Sequence, residues 1–70
     1  MSLIKDIEEL RSATRRRLIH LPRTVRLQTV AAQAGVSNAA VSMLIHRNAG
    51  SVKIIEQISH ALDALGIDAR

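Results

Sequence analysis

AAQAGVSNAAVSMLIHRNAG, residues Ala31 to Gly50, reads as the end of one helix, a turn on Gly35 and a second helix. Gly is the residue type that takes a left-handed backbone without a Cβ penalty, so Gly35 closes the first helix at about residue 34. Ser37 stands where an N-cap is needed and opens the next helix, about 38–47. Two short helices joined this tightly can cross steeply only where bulk is absent. Ala31 and Ala34 provide the close approach, and Val36 fills the angle between the helices. Within 38–47, Val41, Leu44 and Ile45 recur at helical spacing and point inward, faced by Leu27 and Val30 of the preceding helix. That register turns Ala39, Ser42, Met43 and His46 outward, with Asn38 at the exposed N-terminal end. A solvated helix face usually carries Lys and Glu. This one carries small uncharged residues and a Met, a composition suited to a partner other than water.

Upstream, the first helix of the pair extends back to about residue 27, and RTVR (23–26) forms a short connection. Before it, Leu3, Ile4, Ile7, Leu10, Leu18 and Leu21 share one face of a helix over 3–21, with Ser2 as its N-cap. Asp6, Glu8 and Glu9 sit early in that helix and Arg15, Arg16 and Arg17 late, as the helix dipole favours. Pro22 stops it and biases Leu21 away from helical geometry. Downstream, Ser51 caps a fourth helix, about 52–65, with Ile54, Ile55, Ile58, Ala61, Leu62 and Leu65 on one face; Gly66 ends it. The chain's 3 glycines all fall at helix ends, and this agreement between levels supports an all-α fold. The expected architecture is a compact all-α domain of four to five helices spanning residues 1–70, with the tight helix pair at about 27–47.

Composition narrows the function. A chain of 70 residues holds one domain near the lower size limit for folding without staples. It has no Cys, which removes disulfides and zinc–thiolate sites and leans towards a cytoplasmic setting. It has no Phe, Trp or Tyr, so the base-stacking platforms of single-strand and RNA-recognition modules are missing. Residues 27–45 carry no charge, yet Gln28, Thr29, Gln33, Ser37, Asn38 and Ser42 interrupt them too often for a membrane span. The acidic N-terminal stretch does not resemble a signal peptide, so a soluble protein is expected. The net charge is +4, with every acidic residue at position 9 or earlier or at 56 or later. Arg11, Arg15, Arg16, Arg17, Arg23, Arg26, Arg47 and Lys53 lie between. A basic middle is the footprint of a polyanionic partner, and for charge alone an ordinary solvated surface explains it equally well.

The stretch 31–50 resembles the DNA-binding helix-turn-helix of the lambda-repressor-like superfamily. VAAQAGVS, continued by Val41 and Ser42, is similar to headpieces of the lactose-repressor family. SVKIIEQISHALDALG (51–66) resembles the helix that follows in that family, and the N-terminal helix is similar to the first helix of small phage repressors and Cro proteins. The departures are specific. Arg26 stands where the family usually has a capping Ser or Thr, which moves the cap to Thr24 and lengthens the helix; Ala40 replaces a frequent Thr; HRNAG is about one residue short. The hinge and sugar-binding domain of the lactose-repressor family are missing, so no small-molecule effector is implied.

The resemblance implies a sequence-specific regulator of transcription, of phage or bacterial repressor type, working in the bacterial cytoplasm on double-stranded DNA. It assigns base reading to Asn38, Ala39, Ser42 and Met43, with Asn suited to adenine and Ala39 and Met43 to a thymine methyl. Ser37, His46, Arg47, Arg26, Lys53, Arg15 and Arg16 become backbone contacts. Several also have a plainer reading: Ser37 as a cap, His46 and Arg47 as complements to the helix dipole, Arg15 to Arg17 as a solvated helix end. A symmetric homodimer on a palindromic site is expected, pairing through Leu65 and Ile67, with the N-terminal helix as the alternative surface. His20 and His60 lack partners at metal-binding spacing, and no metal or cofactor is expected. No nucleophile, phosphate loop or His–carboxylate pair points to an enzyme. The competing class is a helical protein-interaction module, antitoxin-like, whose DNA binding is secondary.

Overall fold

The computed structural model describes residues 3–67, with side chains from Asp6 onward. Four helices follow in chain order: α1 Leu3–Ile19, α2 Leu27–Ala34, α3 Asn38–Arg47 and α4 Val52–Ala64. The described residues contain no strand. The expected cap at Ser2 lies outside the described residues, as do the side chains of Leu3 and Ile4.

The helix ends follow from single residues. Ser37 accepts a hydrogen bond from Ala40 N–H at 3.1 Å, and Ser51 accepts one from Ile54 N–H at 3.3 Å. Each satisfies one of the four N–H groups that a helix start leaves unpaired. Gly35 ends α2 with φ +72°, and Val36 N–H returns to Ala31 O at 3.0 Å. Gly66 repeats this after α4, with φ +73° and Ile67 N–H on Leu62 O at 2.9 Å. Both are Schellman closures, in which the residue after the left-handed position folds back against the helix. Asn48, at φ +50°, closes α3 with its N–H on Leu44 O. Asn is the non-glycine residue that best tolerates this region.

Two expected boundaries differ. α1 stops at Ile19, two residues before Leu21, since the backbone preceding Pro22 cannot stay helical. Thr24 does not cap α2: the helix starts at Leu27 with Arg26 in the cap position and no side-chain cap bond. Thr24 instead lies in a tight turn closed by Val25 N–H on Pro22 O at 3.0 Å.

The core is aliphatic. Leu18, Val30, Ala31, Val41, Leu44, Ile55, Ile58, Ala61, Leu62 and Ile67 are buried, with Leu10, Val36, Ile45 and Leu65 among the half-buried residues around them. α4 packs on α1 and α2, and α3 also leans on α1 and α2. Leu27, expected to face α3, is 41% exposed: it occupies the first turn of α2, beyond the buried Val30. Among the described residues no helix is long and apolar enough to cross a membrane.

Ile67 corrects the expected pairing surface. It is only 6% exposed and belongs to the core, and Leu65 is half-buried against that core. The Schellman closure at Gly66 is the cause, since it turns Ile67 back over Leu62. Arg17 then holds the Ile67 carbonyl, with Nη2 donating at 2.7 Å and Nε at 3.2 Å. The apolar groups at this end thus cover the protein's own interior.

Candidate nucleic-acid interface

α3 presents a consistent face. Val41 and Leu44 are buried and Ile45 half-buried, while Asn38, Ala39, Ser42, Met43 and His46 are exposed. Met43 is 44% exposed, comparable with Ile19, Leu27 and Val52, and is the one of these four on the outward face of α3. The helix is uncharged until His46 and Arg47 in its last turn. The face therefore offers one amide, one hydroxyl, a methyl and a thioether before any cation. Slim side chains allow a helix to sit deep in a concave partner, and an amide supplies both donor and acceptor.

Gly35, Val36 and Ser37 set the direction of that face. The left-handed Gly35 reverses the chain without a side chain to accommodate, Val36 plugs into the core, and Ser37 starts α3 at once. Ser37 is exposed with its hydroxyl engaged as a cap. Arg26 is exposed at the start of α2, Arg47 at the end of α3 and Lys53 in the first turn of α4. Arg16 and Arg23 are exposed as well.

The remaining central arginines have internal partners. Arg15 Nε donates to Ile45 O at 2.8 Å, so it satisfies a carbonyl that the C-terminal turn of α3 leaves open. Arg15, Arg16, Ser12, Ile19 and Asn48 surround a small surface hollow beside that turn. Arg17 bridges to α4 through Asp63, Ser59 Oγ and Ile67 O. Arg11 Nη2 reaches Gly50 O at 3.4 Å, and its buried Nε has no partner.

Reading the sequence alone missed these three tethers and the buried Thr14, whose hydroxyl donates to Leu10 O at 2.7 Å. A signal existed for three of the four. Positions 7, 10, 11, 14, 17 and 18 all fall on the apolar side of α1, so Arg11, Thr14 and Arg17 stand where a core residue belongs. Arg15 carries no such mark. Among the described residues no group of three or more His, Cys, Asp or Glu is placed to hold a metal ion.

Compared with protein-family models, curated proteins and solved structures, the chain gives no match.

Proposed function

We propose that the chain is a sequence-selective binder of double-stranded DNA that lays α3 in the major groove and serves as a regulator of transcription, of repressor type. The observation that carries this reading is the exposed face of α3. Asn38, Ala39, Ser42 and Met43 are exposed on a helix without charge until its last turn, in a molecule with no acidic residue between Glu9 and Glu56. Such a face gains little from water and fits a groove whose edges present donors, acceptors and methyl groups. The exposed Arg16, Arg23, Arg26, Arg47 and Lys53 supply the phosphate contacts, with His46 and the Ser37 hydroxyl beside the reading face. The resemblance of residues 24–66 to repressor headpieces supports the same conclusion.

A homodimer is part of the proposal. One short helix reads only a few base pairs, and this one has few hydrogen-bonding groups. The molecule measures 37 × 24 × 20 Å. A symmetric pair would have to set its two α3 helices roughly 34 Å apart, the distance between successive major grooves. With Ile67 in the core, the N-terminal helix becomes the pairing surface of choice, tested by Ile7→Asp in sedimentation equilibrium.

Selection of bound sites from random duplex DNA tests the reading directly. The expected product is a palindromic site. Asn38→Ala should relax preference at one base pair per half-site by about 1–3 kcal/mol while affinity for unrelated duplexes holds. Recovery of no preferred sequence, together with a tight complex with another protein, would replace DNA reading by the protein-interaction class.

A further inference from the structure

Beside the outward face of α3 lies a groove lined only by apolar groups: Ala40 and Met43 from α3, Ala49 and Gly50 from the connection, and Ile54 from α4. It encloses about 190 Å³. α3 packs mainly on α1 and α2 and only sparsely on α4, and the groove lies between α3 and the start of α4. Two exposed cations neighbour its lining residues in sequence: Arg47 ends α3 four residues after Met43, and Lys53 directly precedes Ile54.

We infer that this groove seats the C5-methyl group of a thymine, and that the preferred duplex carries thymine at the position facing Met43. The inference rests on the DNA reading above and adds a built receptor to it. Of the four bases, only thymine shows an apolar group in the major groove, and that group lies within reach of flanking phosphates. An apolar slot with exposed cations next to its lining residues in sequence matches this combination. A purely apolar protein surface would leave Arg47 and Lys53 without a counter-charge. Met43 suits the task because its unbranched thioether adapts to a small apolar guest. Ile54 makes the opposite wall, so α4, which carries no residue of the reading face, contributes to base choice.

The test uses the duplex recovered by selection, with each thymine of a half-site replaced singly by deoxyuridine, which removes the methyl and keeps every hydrogen-bonding group. Affinity is read by fluorescence anisotropy at fixed salt. One replacement per half-site should weaken binding about three- to fivefold, the amount expected for one buried methyl. At that position 5-methylcytosine should bind several-fold tighter than cytosine. In Met43→Ala, shown folded by circular dichroism, both ratios should fall close to one; Ile54→Val should reduce them partly. Deoxyuridine tolerated at every position by a protein that still selects its site overturns the groove assignment and leaves DNA reading intact. A thymine preference unchanged in folded Met43→Ala also overturns it, since the methyl then acts through duplex stiffness. Absence of any salt-dependent duplex binding overturns both.

Discussion

Thr14 shows how one side chain can sit in an aliphatic core without harm. It is 1% exposed, and its hydroxyl is satisfied by the Leu10 carbonyl one turn back. Since such a bond competes weakly with the helix's own, replacing the hydroxyl by a methyl loses little. Thr14→Val should therefore stay within about 1 kcal/mol of wild type, and Thr14→Ala should lose roughly 1–2 kcal/mol through the cavity, as measured by urea denaturation. Gly35 is a different case. Its φ is +72°, and a Cβ built there meets no atom within 4 Å, so any cost of substitution is purely one of backbone. Gly35→Ala should cost about 1–2 kcal/mol and Gly35→Val more, with a lowered melting temperature as the readout. Asn48 at φ +50° gives the internal comparison. Asn48→Gly should change stability by less than about 1 kcal/mol, whereas Asn48→Ala should destabilise by about that amount. A Gly35→Val protein with unchanged melting would falsify the role of the turn.

At the level of elements, α1 acts as a brace. Its arginines reach carbonyls far along the chain: Arg11 that of Gly50, Arg15 that of Ile45, and Arg17 that of Ile67. Ile45 lies in the last turn of α3 and Ile67 just beyond the end of α4, where carbonyls are unpaired and the dipole is negative. Gly50 instead lies in the connection directly before the Ser51 cap. The bond from Arg15 ties the end of α3 to α1, and Arg17 fastens Ile67 over the core. The partners of Arg17 differ in worth. Asp63 is 64% exposed in its side chain, and an exposed ion pair contributes at most about 1 kcal/mol. The carbonyl anchor is half-buried and charge-assisted, worth roughly 1.5–3 kcal/mol. Arg17→Met should accordingly shift the urea midpoint much further than Asp63→Asn. Equal losses in the two variants would locate the energy in the ion pair instead.

For the whole molecule, the internal tethers reduce the charge available to a partner. Among the central cations Arg16, Arg23, Arg26, Arg47 and Lys53 stay exposed. If four to six cations per subunit neutralise phosphates, a dimer should show a log-affinity against log-salt slope of roughly −7 to −11. Arg47→Ala should make the slope shallower and weaken all duplexes alike; Arg17→Met, corrected for stability, should leave it unchanged. A slope near zero removes the DNA reading. The helices and most of their ends were legible in the chain itself. Gly35, Ser37, Ser51 and Gly66 act on neighbours one turn away, and the spacing of Val41 and Leu44 orients α3 by local geometry. The outward placement of Asn38, Ala39, Ser42 and Met43 followed from the same periodicity. Tertiary structure alone decided the rest. It turned Leu27 out and Ile67 in, gave Arg11, Arg15 and Arg17 internal partners 39, 30 and 50 residues away, and opened the groove between Met43 and Ile54. Helical periodicity says which side of a helix is apolar. Only packing says which carbonyl or neighbouring helix that side meets, because such pairings join positions with no fixed spacing in sequence.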